Sequence, residues 1–161
     1  MRKHYARPTR LAGAVGAVAY DPGMTGTRSR YVSAAINRRA GEVYEYAVDP
    51  ANLPDWAPGL GTSVEQVGGQ WFVETPMGRV EFAFVERNAY GVLDHTVRLT
   101  SGETFYNPMR VMPDGDGCEV VFAVRRLPGM TDEEFERDAA AVAADLARLK
   151  RVLESPAPTT G

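Results

Sequence analysis

The sequence contains a single cysteine, Cys118, and only two histidines, His4 and His95. One cysteine excludes a disulfide within the chain, which is typical of proteins from a reducing cytoplasm. Zinc motifs such as C-x-x-C and H-E-x-x-H are missing, as are phosphate loops and G-x-G-x-x-G, so no metal and no other cofactor are expected. No apolar run approaches the roughly 20 residues that span a bilayer.

An excess of basic charge is also lacking, because the 161 residues carry a formal net charge of −3. Residues 1–30 hold six Lys or Arg against one Asp, and the other residues hold 12 against 20 Asp or Glu. Binding to nucleic acid requires a clustered basic surface. The acidic body of the protein therefore argues against a nucleic-acid partner.

The N-terminal residues differ in composition from the rest of the chain. A basic start precedes Leu11–Ala19, which is rich in Ala and Gly and contains few large apolar residues. We expect residues 1–29 to be a disordered basic extension, with Met24 as the natural first residue. A secretory signal ending at Ala17-Val18-Ala19 is the alternative.

Between residues 30 and 127, the pattern predicts one strand, two short helices and six further strands. Arg30–Asn37 alternates as a strand does, and Ala40–Val48 has helical spacing. Asp49-Pro50 ends this helix and begins a second short one, which Pro54 should break. The later strands are predicted at Ser63–Val67, Gln70–Thr75, Arg79–Arg87, Val92–Leu99, Glu103–Met112 and Cys118–Leu127. Their short connections predict an antiparallel meander.

A long helix is predicted over Thr131–Glu154. Thr131 and Glu134 match a capping box, in which each side chain accepts a hydrogen bond from a backbone amide of the first turn. Apolar residues recur every three or four positions and form one stripe: Phe135, Ala139, Val142, Leu146, Leu149 and Leu153. The last residues, 156–161, are expected to be a disordered tail.

This order of elements, together with Asp49-Pro50-Ala51-Asn52-Leu53-Pro54-Asp55-Trp56, resembles the START-like or SRPBCC superfamily, in its polyketide cyclase/dehydrase branch. The octapeptide matches a D-P-x-N-L-P-x-W segment seen after the first helix of that branch, and the resemblance covers roughly residues 30–155. It implies an α+β helix-grip fold, in which a curved antiparallel sheet of about seven strands wraps around the long C-terminal helix. It also implies a cavity between sheet and helix for a lipid, a polyketide or another apolar molecule.

Alternation within the strands predicts which side chains face such a cavity. Two polar residues, His95 and Asn107, fall on otherwise apolar faces. Buried polar groups need hydrogen-bond partners, and most such groups are structural, so the partners are first of all neighbours in a packed core; ligand atoms are the alternative. Trp56 either closes the cavity or anchors the short helices, and Cys118 is expected to be an inert strand residue. The predicted pocket set is Trp56, Phe82, Phe84, His95, Asn107, Met109, Phe122, Phe135, Val142 and Leu146.

Three functions are compatible with these features. The leading hypothesis is a carrier or sensor that binds a small apolar molecule. The second is a cyclase- or dehydratase-type enzyme with His95 as general acid and base, since histidine titrates near neutrality. The third is an interaction module of the kind found among co-chaperone relatives. The sequence leaves open the ligand, any catalysed reaction and assembly into a homo-oligomer; a cytoplasmic location is expected.

Overall fold

The computed structural model describes residues 29–76 and 78–156. The predictions of an N-terminal extension and of a C-terminal tail lie almost entirely outside these residues. In the described part of the chain, no helix is both long and apolar enough to cross a membrane. The elements are β1 (Ser29–Ile36), α1 (Ala40–Ala47), α2 (Leu53–Trp56), β2 (Ser63–Val67), β3 (Gln70–Thr75), β4 (Gly78–Phe84), β5 (His95–Arg98), β6 (Thr104–Asn107), β7 (Met109–Asp114), β8 (Gly117–Arg125) and α3 (Asp132–Glu154).

The two short helices are joined by a single 3₁₀ turn, Pro50–Asn52. The Asp49 carboxylate accepts a hydrogen bond from the Ala51 amide at 3.0 Å, which starts this turn as predicted. The prediction that Pro54 breaks the second helix is wrong, because Pro54 lies in the first turn of α2. A proline is tolerated there, since the amide it lacks would have no partner within the helix.

The strands form an antiparallel sheet in two groups. One group has the order β1-β8-β7 and the other the order β2-β3-β4-β5-β6. An antiparallel bridge between Val92 and Arg110 joins them. Eight strands appear where about seven were predicted, because the segment Glu103–Met112 is divided at Pro108 into β6 and β7. Proline has no amide hydrogen to donate across a ladder, so it interrupts the strand.

The long helix α3 has 23 residues and begins with the predicted capping box. The Glu134 amide donates to the Thr131 hydroxyl, and the Thr131 amide donates to the Glu134 carboxylate. Its main backbone neighbours are β1, β8 and α2. Its last turns also contact β1 through Lys150, whose ammonium donates to the Ala35 carbonyl at 2.6 Å. The fold is therefore α+β, with the helix gripped by the sheet as predicted.

Candidate functional site

The structure brings the two predicted polar residues together. His95 on β5 lies directly opposite Asn107 on β6 in the antiparallel ladder. Residues opposite each other in such a ladder project to the same face of the sheet. We call this face, which also carries Phe82 and Val97, the inner face. The outer face is the other one, with Thr96 and Tyr106.

His95 lies within a cluster of aromatic rings. Its imidazole stacks on Phe82 at 5.0 Å between centroids, with an interplanar angle of 29°. Phe84 meets it edge-on at 5.5 Å, and Phe122 from β8 lies at 5.7 Å. We call Phe82, Phe84, His95 and Phe122 the aromatic cluster. Four of the ten predicted pocket residues thus contact one another.

The imidazole of His95 is 6% exposed, and its protonation follows from this burial. Desolvation disfavours the charged form and lowers the pKa of His95 to about 4, although a hydrogen bond to Leu93 and the charge of Asp94 act in the opposite direction. Nδ1 lies 3.0 Å from the Leu93 carbonyl. Because a carbonyl can only accept, Nδ1 carries the hydrogen and Nε2 has the free lone pair. His95 is neutral at pH 7.

The alternation within Val92–Leu99 that puts His95 on the apolar face puts its neighbour Asp94 on the opposite, polar face, yet Asp94 is a buried carboxylate. It is only 5% exposed. Its oxygens accept hydrogen bonds from the Tyr106 hydroxyl at 2.5 Å and from the Met109 amide at 2.9 Å, and the Arg110 guanidinium lies 3.5 Å away. The hydrogen bond to Asp94 raises the pKa of Tyr106. Sequence reasoning did not single out Asp94; the available signal was Pro108, a proline inside a predicted strand, opposite Asp94 in the same register.

The other predicted pocket residues divide by depth. Met109, Leu146 and Trp56 are almost fully buried in the main core. Among the described residues, Trp56 has the one enclosed side-chain donor, its indole nitrogen, that lacks a hydrogen-bond partner. Phe135 packs in a second cluster with Val124 and Ala139, while the half-buried Val142 contacts both clusters.

The inner face accordingly has two halves. The closed half, where α3 covers β1 and β8, contains side chains that are at most 2% exposed, including Ile36, Val120, Leu146 and Leu149. The open half, on β3 to β6 and the residue after β5, combines buried side chains with half-buried ones. The buried ones are Val73, Val80, Phe82 and His95, and the half-buried ones are Trp71, Phe84, Val97, Leu99, Phe105 and Asn107. Trp71 belongs to it because it pairs with Phe82 across the β3–β4 ladder.

A depression of about 300 Å³ opens at one end of this face. It lies beside the β2–β3 turn, and its lining includes Trp71, Phe82 and Phe84 together with Val48 and Pro50, which follow α1 in the chain. Two of these rings, Phe82 and Phe84, also belong to the aromatic cluster, whereas His95 itself is not part of the lining. A second depression of similar size lies around Phe72 and Arg98 on the outer face.

Cys118 and the acidic side chains add no reactive centre to this description. Burial raises the pKa of the Cys118 thiol, which keeps it protonated and poorly nucleophilic. Within residues 29–76 and 78–156, no three His, Cys, Asp or Glu side chains are grouped as a metal site would require.

Comparison with known families agrees with this architecture. The sequence profile of the family described as "Polyketide cyclase / dehydrase and lipid transport" matches residues 27–154. The chain belongs to this family. The matched residues include every helix and strand from β1 to α3. No curated protein sequence matches the chain.

Solved structures share the fold at low sequence identity. A protein from Bacillus thuringiensis is 15% identical with a TM-score of 0.64, covering 80% of this chain and 100% of that one. Truncated norcoclaurine synthase from Thalictrum flavum is 15% identical with a TM-score of 0.58, over 82% and 96% of the two chains. The Aha1 dimer from Colwellia psychrerythraea is 14% identical with a TM-score of 0.63, over 83% and 99%. At such identities these likenesses establish the helix-grip fold alone.

Proposed function

We propose that this protein is a carrier or sensor that binds a small apolar molecule, a lipid, a polyketide or an aromatic compound, on the open half of the inner face. The observation that carries the proposal is the incomplete burial of this half. Apolar side chains such as Trp71, Val97 and Phe105 remain only partly buried there, near a neutral histidine. A mostly apolar concave surface with one or two polar groups is how small-molecule sites are usually built.

The family supports the coarse statement, since its description names lipid transport beside polyketide cyclisation. The depression at Trp71 and Phe84 supports a route of entry, because its volume of about 300 Å³ lies at the lower end of the range for ligand pockets, about 300–1,000 Å³. A cytoplasmic location is part of this proposal and rests on the single, unpaired cysteine.

An enzyme with His95 as proton carrier is the second candidate. The named activity of norcoclaurine synthase shows that this fold can host catalysis. However, a neutral imidazole with a pKa of about 4 has no proton to give at pH 7, and it is a weak base. The geometry therefore supports hydrogen-bond acceptance by His95 better than acid catalysis.

Native mass spectrometry of the purified protein tests the proposal, followed by titration with palmitate and 2-naphthol monitored by amide chemical shifts. We expect one bound molecule per chain and shifts concentrated at Trp71, Phe84 and Val97. The matched pair of variants is Val97→Lys and Thr96→Lys, neighbours that project to opposite faces. Val97→Lys should weaken binding at least tenfold, whereas Thr96→Lys should leave it unchanged.

Two results would count against the proposal. Shifts that map to the outer face, or equal effects of the two variants, would place binding elsewhere. If no compound binds and a protein partner or a stable dimer appears instead, the interaction module becomes the better description, as the Aha1 likeness would suggest. Circular dichroism of both variants controls for unfolding.

A further inference from the structure

Beside His95, one backbone hydrogen bond of the sheet is replaced by two hydrogen bonds to side chains. The Leu93 amide donates to the Met109 carbonyl at 2.9 Å. In a regular antiparallel ladder, the Met109 amide would return this bond to the Leu93 carbonyl. Instead, the Met109 amide donates to Oδ1 of Asp94 at 2.9 Å. The Leu93 carbonyl accepts from Nδ1 of His95 at 3.0 Å.

The replacement occurs where the strand is already interrupted. Residues 92 and 110 and residues 95 and 107 keep the same register on either side, so Asp94 lies opposite Pro108. The carboxylate of Asp94 is held there by the Tyr106 hydroxyl and the Arg110 guanidinium. Asp94 thus accepts from the Met109 amide, which would otherwise compete with His95 for the Leu93 carbonyl.

The consequence is a histidine with one defined tautomer. The Leu93 carbonyl holds the hydrogen on Nδ1, so Nε2 is left as an acceptor. Nε2 makes no hydrogen bond with the described residues, and it is not among the fully enclosed polar atoms. The rings of Phe82, Phe84 and Phe122 pack against the imidazole and offer no donor. Because Nε2 is not fully enclosed, a ligand donor can reach it, and a hydrogen bond made there among apolar rings would be stabilising.

We propose that the ligand of this site carries a hydroxyl group that donates a hydrogen bond to Nε2 of His95, and that Asp94 is the positioning residue that keeps this acceptor open. The ligand half of this inference rests on the proposed binding function. The Asp94 half is a statement about the free protein. A hydroxylated ring compound is the matching chemical class, because the rings offer stacking surfaces and Nε2 the single acceptor among them.

Nitrogen-15 NMR of the histidine side chains tests the role of Asp94 without any ligand. The wild type should show His95 with a slowly exchanging Nδ1–H and an unprotonated Nε2, assigned by comparison with His95→Gln. Asp94→Ala should return the Met109 amide to the Leu93 carbonyl and give mixed tautomers. Asp94→Asn should preserve the wild-type signature, since its amide oxygen can still accept. Tyr106→Phe, which leaves the Asp94–Met109 bond in place, is the structural control.

A single Nδ1–H tautomer in Asp94→Ala would overturn the positioning role, provided that the variant remains folded. If Asp94→Ala unfolds, Asp94→Leu and the Asp94→Asn rescue decide the question. An Nε2–H tautomer in the wild type would overturn the entire inference.

Calorimetric titration with 2-naphthol and its methyl ether, 2-methoxynaphthalene, tests the ligand half. Because one hydrogen bond contributes about 0.5–1.5 kcal/mol, the wild type should bind the alcohol roughly 2- to 10-fold more tightly than the ether. His95→Phe should bind both equally. Equal affinities in the wild type would overturn the hydroxyl inference and leave the binding function intact. If neither compound nor palmitate binds, the binding function itself fails, while the tautomer experiment still decides the role of Asp94.

Discussion

The closed and open halves of the inner face are both largely apolar, but more of the side chains in the open half are only partly buried. In the closed half, Leu146 and Leu149 of α3 are 1% and 0% exposed, because the helix lies directly over β1 and β8. In the open half, Val97 and Leu99 are equally apolar yet half-exposed. One sheet face therefore provides both the core that stabilises the fold and an apolar surface left available for a ligand.

The largest expected difference between the halves is in stability. Leu149→Ala should lower the free energy of unfolding by about 2–5 kcal/mol, since it leaves a cavity that the surrounding core cannot fill. Leu99→Ala removes the same atoms from a partly buried site and should cost less, about 1–2 kcal/mol, because part of that side chain is already in contact with solvent. Urea unfolding of both variants measures the difference. Equal losses would mean that the open half is as much a part of the core as the closed half.

Acid should destabilise the protein through His95. The pKa of His95 is about 4 in the folded state, against about 6.5 in an unfolded chain. Between these values the unfolded state binds more protons, so stability is fully present above pH 6.5 and is lost as pH falls towards 4. The loss should approach about 3 kcal/mol at pH 4.

His95→Gln isolates this contribution, because carboxylates elsewhere also titrate in acid. The difference in stability between wild type and variant should change by about 2–3 kcal/mol between pH 7 and pH 4.5. Asp94 is the charged neighbour that partly offsets the shift. If the stability difference between wild type and His95→Gln does not change with pH, His95 is solvated. The contrast between a buried imidazole and a more open surface around it would then be wrong.

The smallest predicted effect concerns the start of α3. Thr131→Ala removes the hydroxyl that accepts from the Glu134 amide and should cost about 1 kcal/mol. Thr62→Ala, at another exposed threonine, should cost nothing measurable. Hydrogen exchange in the first turn of α3 should accelerate only in Thr131→Ala. A similar cost for both variants would mean that this end of the helix is held by packing of Phe135 rather than by its cap.

Much of the fold could be predicted because local signals agreed with the tertiary structure. The capping box at Thr131 and the apolar stripe located α3 to within one residue. The strand predicted over Val92–Leu99 is shorter, His95–Arg98, because the Asp94 side chain replaces a ladder partner. A side chain that takes over a backbone hydrogen bond leaves no trace in apolar periodicity.

The site was predictable in part for a similar reason. Alternation placed His95 and Asn107 on one face, and the structure adds that they lie opposite each other. Alternation also placed Asp94 on the outer face, but it gave no sign that the carboxylate would be buried there. Depth was equally out of reach, because Phe84 and Met109 are both apolar residues of alternating strands, and only the packing of α1 on β7 in the folded protein distinguishes them. The binding roles of the ten pocket residues stay predictions.

The contact between α3 and β1 has a further consequence for association between molecules. Within residues 29–76 and 78–156, β1 is an edge strand that pairs with β8 alone, and an exposed edge invites pairing with another chain. The Lys150 ammonium donates a hydrogen bond to the Ala35 carbonyl, and the Glu154 carboxylate accepts one from the Asn37 amide at 2.7 Å. Both groups are ones that an incoming strand would use. The last turn of α3 therefore protects the protein against edge-to-edge aggregation, and a chain truncated before Lys150 should self-associate through β1.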